Sequence, residues 1–182
     1  MAKRPNQSLL PTAAALRFFW MLRLTGGRRG VSLSVMPLNH PLLENNKMGA
    51  WAEDTFGNDA ACDWIGTFLK NPGLPAVKSA IAIVRDTDDY LDSDQACDCL
   101  AACEVIARLG GKWGVRNAYS ERLDKWVEAN PIAVPDELKT AADAAIERIL
   151  GPDSELPELW DEGGRNDAWH KAVDDLRERV RG

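Results

Sequence analysis

Apolar residues recur with a helical period over almost the whole chain from Asn58 onward. The clearest example lies near the C-terminus, where five apolar residues follow the i, i+3, i+4, i+7, i+11 spacing of one helix face. They are Trp169, Ala172, Val173, Leu176 and Val180. No alternating apolar and polar run is long enough to indicate a strand. The pattern therefore predicts an all-α fold, a single compact domain of about six or seven helices.

Residues that typically begin and end helices divide this region into segments. The predicted helices begin at Asn58 or Asp59, Pro75, Asp92 or Ser93, Tyr119, Pro135, Ser154, and Asn166 or Asp167. Gly57 is interpreted as a flexible joint before the first helix, and Tyr119 is expected to be buried. The third helix is rich in Ala and Cys, whose small side chains let neighbouring helices approach closely. We therefore expect it at the centre of the fold.

The first 47 residues differ in composition from the rest. They contain seven Lys or Arg residues and one acid, whereas the following 135 residues contain 15 and 27, a net charge of −12. Pro5, Pro11, Pro37 and the Gly26-Gly27 pair favour a disordered or loosely attached extension over residues 1–47. Two other interpretations stay open: an organelle transit peptide, and a start codon assigned too early, because Met48-Gly49 resembles the beginning of a protein. Residues 48–182 are then the helical domain.

Charge and cysteine usage bear on location and partners. A strongly acidic domain repels nucleic-acid phosphates and anionic lipid, so we expect no nucleic-acid or membrane binding. The most apolar run, Leu9 to Leu24, contains Arg17 and Arg23 and is shorter than the roughly 20 apolar residues of a membrane span. The four cysteines lie within helical patterns, which speaks against a disulfide framework. These features predict a cytoplasmic protein.

Three patterns that could carry chemistry are incomplete. Cys99 and Cys103 share a helix face, but the chain lacks the short Cys-x-x-Cys spacing typical of zinc sites. The Asp86–Asp94 stretch resembles a calcium loop, yet it lacks the glycine and the closing glutamate of an EF-hand. No cysteine has an evident histidine and acid partner. We therefore expect no metal, no cofactor and no catalytic residue.

The block from Met48 to Trp64 is the best candidate for a binding surface, because it combines aromatic and acidic residues. The candidate residues are Trp51, Glu53, Asp54, Phe56, Asp59, Asp63 and Trp64. Such a surface suits a cationic ligand or a basic protein partner. The alternative, favoured by the frequency of acids at helix starts, is that the aromatics anchor the core and Asp59 and Asp63 serve the helix terminus.

A narrower hypothesis concerns Gly49. If Met48 is removed, the free amine of Gly49 is expected to form an ion pair with Asp59 or Asp63. This pair would hold the segment around Trp51 on the core.

The same block resembles a known family. Met48-Gly49-Ala50-Trp51, followed by Phe56 to Trp64, is similar to the opening of the bacterial domain of unknown function 4259, although one residue, Ala61 or Cys62, departs from its spacing. The stretch Glu104 to Ala107 and the closing stretch from Ser154 through Trp169 also fit. The resemblance covers residues 48–182 and implies no activity, so no functional residue is assigned from it.

Negative charge, many aromatics and the missing catalytic pattern favour a protein-binding or regulatory module over an enzyme. One form would be an immunity-type inhibitor of a basic partner. The alternative is a metal-dependent hydrolase that uses clustered carboxylates, such as Asp59, Asp63 and Asp88. The pattern does not predict an oligomeric state.

Overall fold

The computed structural model of the protein describes Gly49, Ala50 and residues 52–182, which form seven α-helices. The helices are α1 (Asp59–Phe68), α2 (Leu74–Arg85), α3 (Ser93–Leu109), α4 (Glu121–Ala129), α5 (Asp136–Leu150), α6 (Glu155–Trp160) and α7 (Asp167–Arg181). Two isolated β-bridges are the sole strand-like pairings within these residues. The predicted all-α fold is therefore confirmed. The expectations for residues 1–47, Met48 and Trp51 lie outside the described residues.

Helix α3 lies at the centre and contacts each of the other six helices. Its contact positions are small: Ala96, Cys99, Ala101, Ala102 and Cys103 are almost fully buried. Small side chains allow the axes of neighbouring helices to come close, and close packing then excludes water from both partners. The position predicted for the Ala- and Cys-rich helix is correct.

The surrounding helices are amphipathic and bury one face against α3 or against each other. Helix α7 buries Trp169, Val173, Leu176 and Val180, four of the five residues of the predicted stripe. Asn166 caps the N-terminus of this helix, and its side chain accepts a hydrogen bond from the amide of Trp169 at 3.1 Å. None of the described helices has the length and apolar character that crossing a membrane requires.

The prediction for Tyr119 is wrong in two respects. Helix α4 begins at Glu121, and the Tyr119 side chain is 52% exposed. The Asn117 side chain accepts hydrogen bonds from the amides of Tyr119 at 2.9 Å and of Ser120 at 3.2 Å. This local turn competes with helical geometry, so Tyr119 precedes the helix and does not belong to its buried face.

Candidate functional site

The loop that precedes α1 is held tightly by its own backbone. The amide of Gly57 donates to the carbonyl of Asp54 at 2.9 Å, and the amide of Phe56 donates to the Asp54 carboxylate at 2.9 Å. A Cβ atom on Gly57 would lie 2.4 Å from the carbonyl oxygen of Ala52. Gly57 is therefore required because two backbone segments approach closely, and the prediction that it serves as a flexible joint is wrong.

Asn58 joins this loop to α1. Its side-chain oxygen accepts a hydrogen bond from the amide of Ala61 at 2.8 Å, and its side-chain nitrogen donates to the carbonyl of Thr55 at 3.1 Å. Asn58 also pairs with Ala50 in an isolated antiparallel bridge. Asn58 thus caps α1 and also holds the preceding loop in place through its contacts with Thr55 and Ala50.

Gly49 lies beside the carboxylate of Asp59. Its backbone has a φ of +64°, and a Cβ atom built on it would be 2.5 Å from Asp59 Oδ2. The structure thus brings Gly49 next to one of the two acids expected to pair with its amine. The ion pair itself stays a prediction.

The aromatic candidates occupy different environments. Phe56 is 2% exposed, and its ring centroid lies 5.2 Å from the guanidinium carbon of Arg108, so it is a core residue and contributes nothing to an exposed surface. Trp64 is half-buried and stacks on Phe68 with ring centroids 5.3 Å apart. Trp51 lies outside the described residues.

The acidic candidates remain accessible. Glu53, Asp59 and Asp63 are exposed and Asp54 is half-buried. Burial raises the pKa of the Cys62 thiol, and the negative charges of Asp59, Asp63 and Asp54 raise it further, so all three carboxylates lie near this thiol. Glu53 and Asp54 line a crevice shared with α3, α6 and α7.

A groove lies between α1, α2 and α3. Its volume is about 210 Å³. Each of the three helices contributes to its lining, which consists of Trp64, Ala76, Ser79, Ala80, Ile83, Gln95 and Asp98. The Ile83 side chain is 48% exposed. The groove is thus largely apolar, with a single carboxylate.

That carboxylate is electrostatically strained. Burial, together with the charges of Asp94 and Asp63, raises the pKa of Asp98 from its ordinary 3.8 to about 6. Half-burial removes water that would solvate the anion, and two like charges oppose its ionisation. Sequence reasoning missed Asp98, although its i, i+4 spacing from Asp94 is a local signal of like-charge repulsion.

A second charged cluster, buried where α3, α4 and α7 meet, was also missed. Arg108 is 1% exposed and forms ion pairs with Glu104, one turn earlier on α3, and with Asp124 on α4. Glu104 also forms an ion pair with Arg179 of α7, with a nitrogen–oxygen distance of 2.7 Å. Glu104 and Arg108 stand at i, i+4 spacing in the otherwise apolar C-terminal half of α3, which is the signal that could have indicated a buried pair.

The cluster is fully hydrogen-bonded. Arg108 Nη2 donates to the carbonyl of Val115 at 2.8 Å, and the Ser120 hydroxyl donates to Asp124 at 3.0 Å. Burial lowers the pKa of Arg108, whereas the hydrogen bond and charge of Asp124 raise it. The guanidinium stays charged, because its ordinary pKa lies far above neutral pH. These features indicate a structural cluster that connects three helices and the loop between α3 and α4.

No group of three or more His, Cys, Asp or Glu residues within the described ranges is arranged to hold a metal ion. Asp59, Asp63 and Asp88 are thus not assembled as metal ligands, and the hydrolase alternative lacks a ligand set there. Cys99 and Cys103 are buried free thiols, and a hydrogen bond between them raises the pKa of Cys103.

No curated protein and no solved structure matches this chain. The model of one family, described as a domain of unknown function (DUF4259), matches residues 49–172. Because this match covers more than half of the sequence, the chain belongs to the DUF4259 family, as its opening block indicated.

Proposed function

We propose that the protein binds a basic segment of another protein through an acidic surface near the beginning of α1 and α3. The acidic surface is defined by Asp54, Asp59, Asp63, Asp94 and Asp98. These side chains lie close enough to influence the ionisation of Cys62 or of one another. The expected regulatory, immunity-type role is one form that such binding would take.

The observation that supports the proposal is the missing counter-charge. Among the ion pairs of the described residues, none includes any of the five carboxylates. Other carboxylates of the domain do have counter-charges. Asp143, for example, forms ion pairs with Arg177 at 2.6 Å and with Arg181 at 2.8 Å. The acidic surface therefore carries five negative charges that no ion pair within the described residues balances.

A basic partner would relieve this imbalance. Opposite charges at an interface accelerate association and suppress wrong partners, and the contribution falls with ionic strength. An acidic, uncompensated surface therefore favours a segment rich in Lys or Arg and disfavours nucleic acid or anionic lipid.

Photo-crosslinking in the native host tests the proposal. A photo-reactive amino acid at position 63, on the acidic surface, should capture a protein through a Lys- or Arg-rich segment. The same amino acid at position 174, exposed on α7, should not capture it.

The captured partner is then purified and its affinity measured. Asp59→Asn with Asp63→Asn should weaken binding by about two- to thirtyfold, since each of the two exposed pairs contributes about 0.2–1 kcal/mol. The matched control, Asp174→Asn with Glu178→Gln, removes the same charge from α7 and should leave the affinity unchanged. Equal effects of both variants, or a crosslink to a segment without basic residues, would contradict the proposal.

A further inference from the structure

We infer that the groove between α1, α2 and α3 receives an arginine side chain of the basic partner. The inference rests on the proposed function and specifies how part of the partner is recognised.

The aromatic wall of the groove is rigid. Trp64 stacks on Phe68 with ring centroids 5.3 Å apart, and Phe68 meets the Trp126 ring edge-on at 5.0 Å. Phe68 itself is buried. A side chain that packs against Trp64 therefore meets a surface already fixed by the core, so little ordering cost is added on binding.

The α2 side of the groove is uncharged and, apart from Ser79, aliphatic. Helix α2 contributes Ala76, Ser79, Ala80 and Ile83, which follow one face of that helix. An apolar channel of this kind suits the methylene stem of a long basic side chain, which buries its carbons and keeps its charge at the tip. Covering the exposed Ile83 would add to the affinity through burial of apolar surface.

The charge in the groove determines whether it accepts a cationic or an anionic end group. Asp98 on α3 is the one charged residue of the lining, and the negative charges of Asp94 and Asp63 act on it, while the α2 residues of the lining carry no charge. No described Lys or Arg forms an ion pair with Asp63, Asp94 or Asp98. A cation would replace the solvation that the half-buried carboxylate has lost, whereas an anion would be repelled.

Arginine fits better than lysine. A guanidinium is planar, stacks on an indole ring and presents a fork of N–H donors to a carboxylate. It is also less strongly hydrated than an ammonium group, so it enters a partly dry groove at lower desolvation cost. The combination of Trp64 with Asp98 supplies both contacts.

The test uses the full chain, labelled with ¹⁵N, and the probe acetyl-Gly-Arg-Gly-amide. The probe should shift the indole N–H signal of Trp64 and the side-chain amide signals of Gln95. The same peptide with citrulline, a neutral isostere of arginine, should produce no shift. The lysine peptide should bind more weakly than the arginine peptide.

Two variants locate the binding. Asp98→Asn should weaken the arginine peptide about tenfold or more, because it removes a charge-assisted hydrogen bond. Asp174→Asn, an equal charge change on α7, should have no effect. If Asp98→Asn and wild type bind equally, if citrulline binds as well as arginine, or if lysine binds as tightly, the inference is overturned. If the arginine peptide binds only to the variant Arg28→Gln/Arg29→Gln, the groove is occupied by this chain's own basic segment. That result would also overturn the inference.

The two proposals fail separately. A captured partner that binds Asp98→Asn normally but loses affinity with Asp59→Asn/Asp63→Asn would leave the proposed function standing and remove the arginine groove. If the arginine peptide binds at Trp64 but position 63 captures no basic segment, the arginine site in the groove stands and the proposed function is removed.

Discussion

Arg108 on α3 donates a hydrogen bond from Nε to Oδ1 of Asp124 on α4 at 2.8 Å, with both side chains almost fully withdrawn from water. Removing two ions from water costs several kcal/mol each, and this pair offsets the cost by satisfying its remaining donors and acceptors. Glu104, Ser120 and the carbonyl of Val115 provide those partners. The cluster therefore fixes how α4 sits on the central helix.

Arg108→Met should lower the free energy of unfolding by about 3–5 kcal/mol, because it leaves buried carboxylates without their shared cation. Chemical denaturation at neutral pH measures the change. Lys125→Ala is the control: its ion pair with Glu121 has side chains 71% and 59% exposed and should be worth less than about 0.5 kcal/mol.

The Arg108–Asp124 coupling can be measured in the same way. Arg108→Met combined with Asp124→Leu should destabilise less than the sum of the two single changes, by about 1–3 kcal/mol. Additive effects would mean that the two side chains do not stabilise each other.

Two glycines near α1 should respond to alanine with opposite signs. Gly57→Ala places a Cβ 2.4 Å from the Ala52 carbonyl oxygen, so backbone must move, and about 1–3 kcal/mol of stability should be lost. Gly66 lies inside α1 with nothing within 4 Å of the added carbon. Gly66→Ala should therefore raise stability by about 1 kcal/mol through helix propensity. Thermal unfolding of both variants checks the signs, and equal signs would contradict the geometry.

Two N-cap residues make a second contrasting pair. Asn58 binds the Ala61 amide, so Asn58→Ala should cost about 1–2 kcal/mol. Ser154 precedes α6 but makes no side-chain cap bond, and its hydroxyl is buried without a partner among the described residues. Ser154→Ala should therefore be neutral or stabilising by up to about 1 kcal/mol, since it removes an unsatisfied polar group. A loss above about 1 kcal/mol in Ser154→Ala would show that the hydroxyl is used.

Most of the helical layout could be predicted because its causes are local. The cap at Asn58 and the stripe of α7 each depend on residues within one or a few turns, and both are found where the sequence indicates. The central position of α3 follows from the size of its side chains, which is also a property of a single segment.

Other features depend on pairing across the fold, and the sequence pattern does not contain that information. Glu104 and Arg179 are 75 residues apart, so no local spacing indicates their ion pair. An aromatic residue before a helix can face either way, and Phe56 turns inward to meet Arg108. Asp98 becomes part of a groove only because Trp64 and Ile83 come from two other helices.

The candidate groove has a cost in stability that can be measured. Burial, together with Asp94 and Asp63, raises the pKa of Asp98 to about 6 in the folded protein from 3.8. A carboxyl whose pKa is raised by folding contributes its full stability below about pH 4, and the contribution is lost as the pH rises towards 6. Ionised Asp98 therefore opposes folding at neutral pH.

Asp98→Asn mimics the protonated carboxyl at every pH. It should leave stability unchanged near pH 4 and raise the free energy of unfolding at pH 7.5. The full shift corresponds to roughly 3 kcal/mol, but Asp98 is only half-buried, so solvent screening reduces the expected gain to about 1 kcal/mol. Urea denaturation at the two pH values measures the difference, with Asp174→Asn as the control that should be silent at both. A variant that is more stable at neutral pH yet binds the arginine peptide more weakly would show that Asp98 is retained for binding and not for folding. A variant less stable than wild type at pH 7.5 would contradict the electrostatic strain at this position.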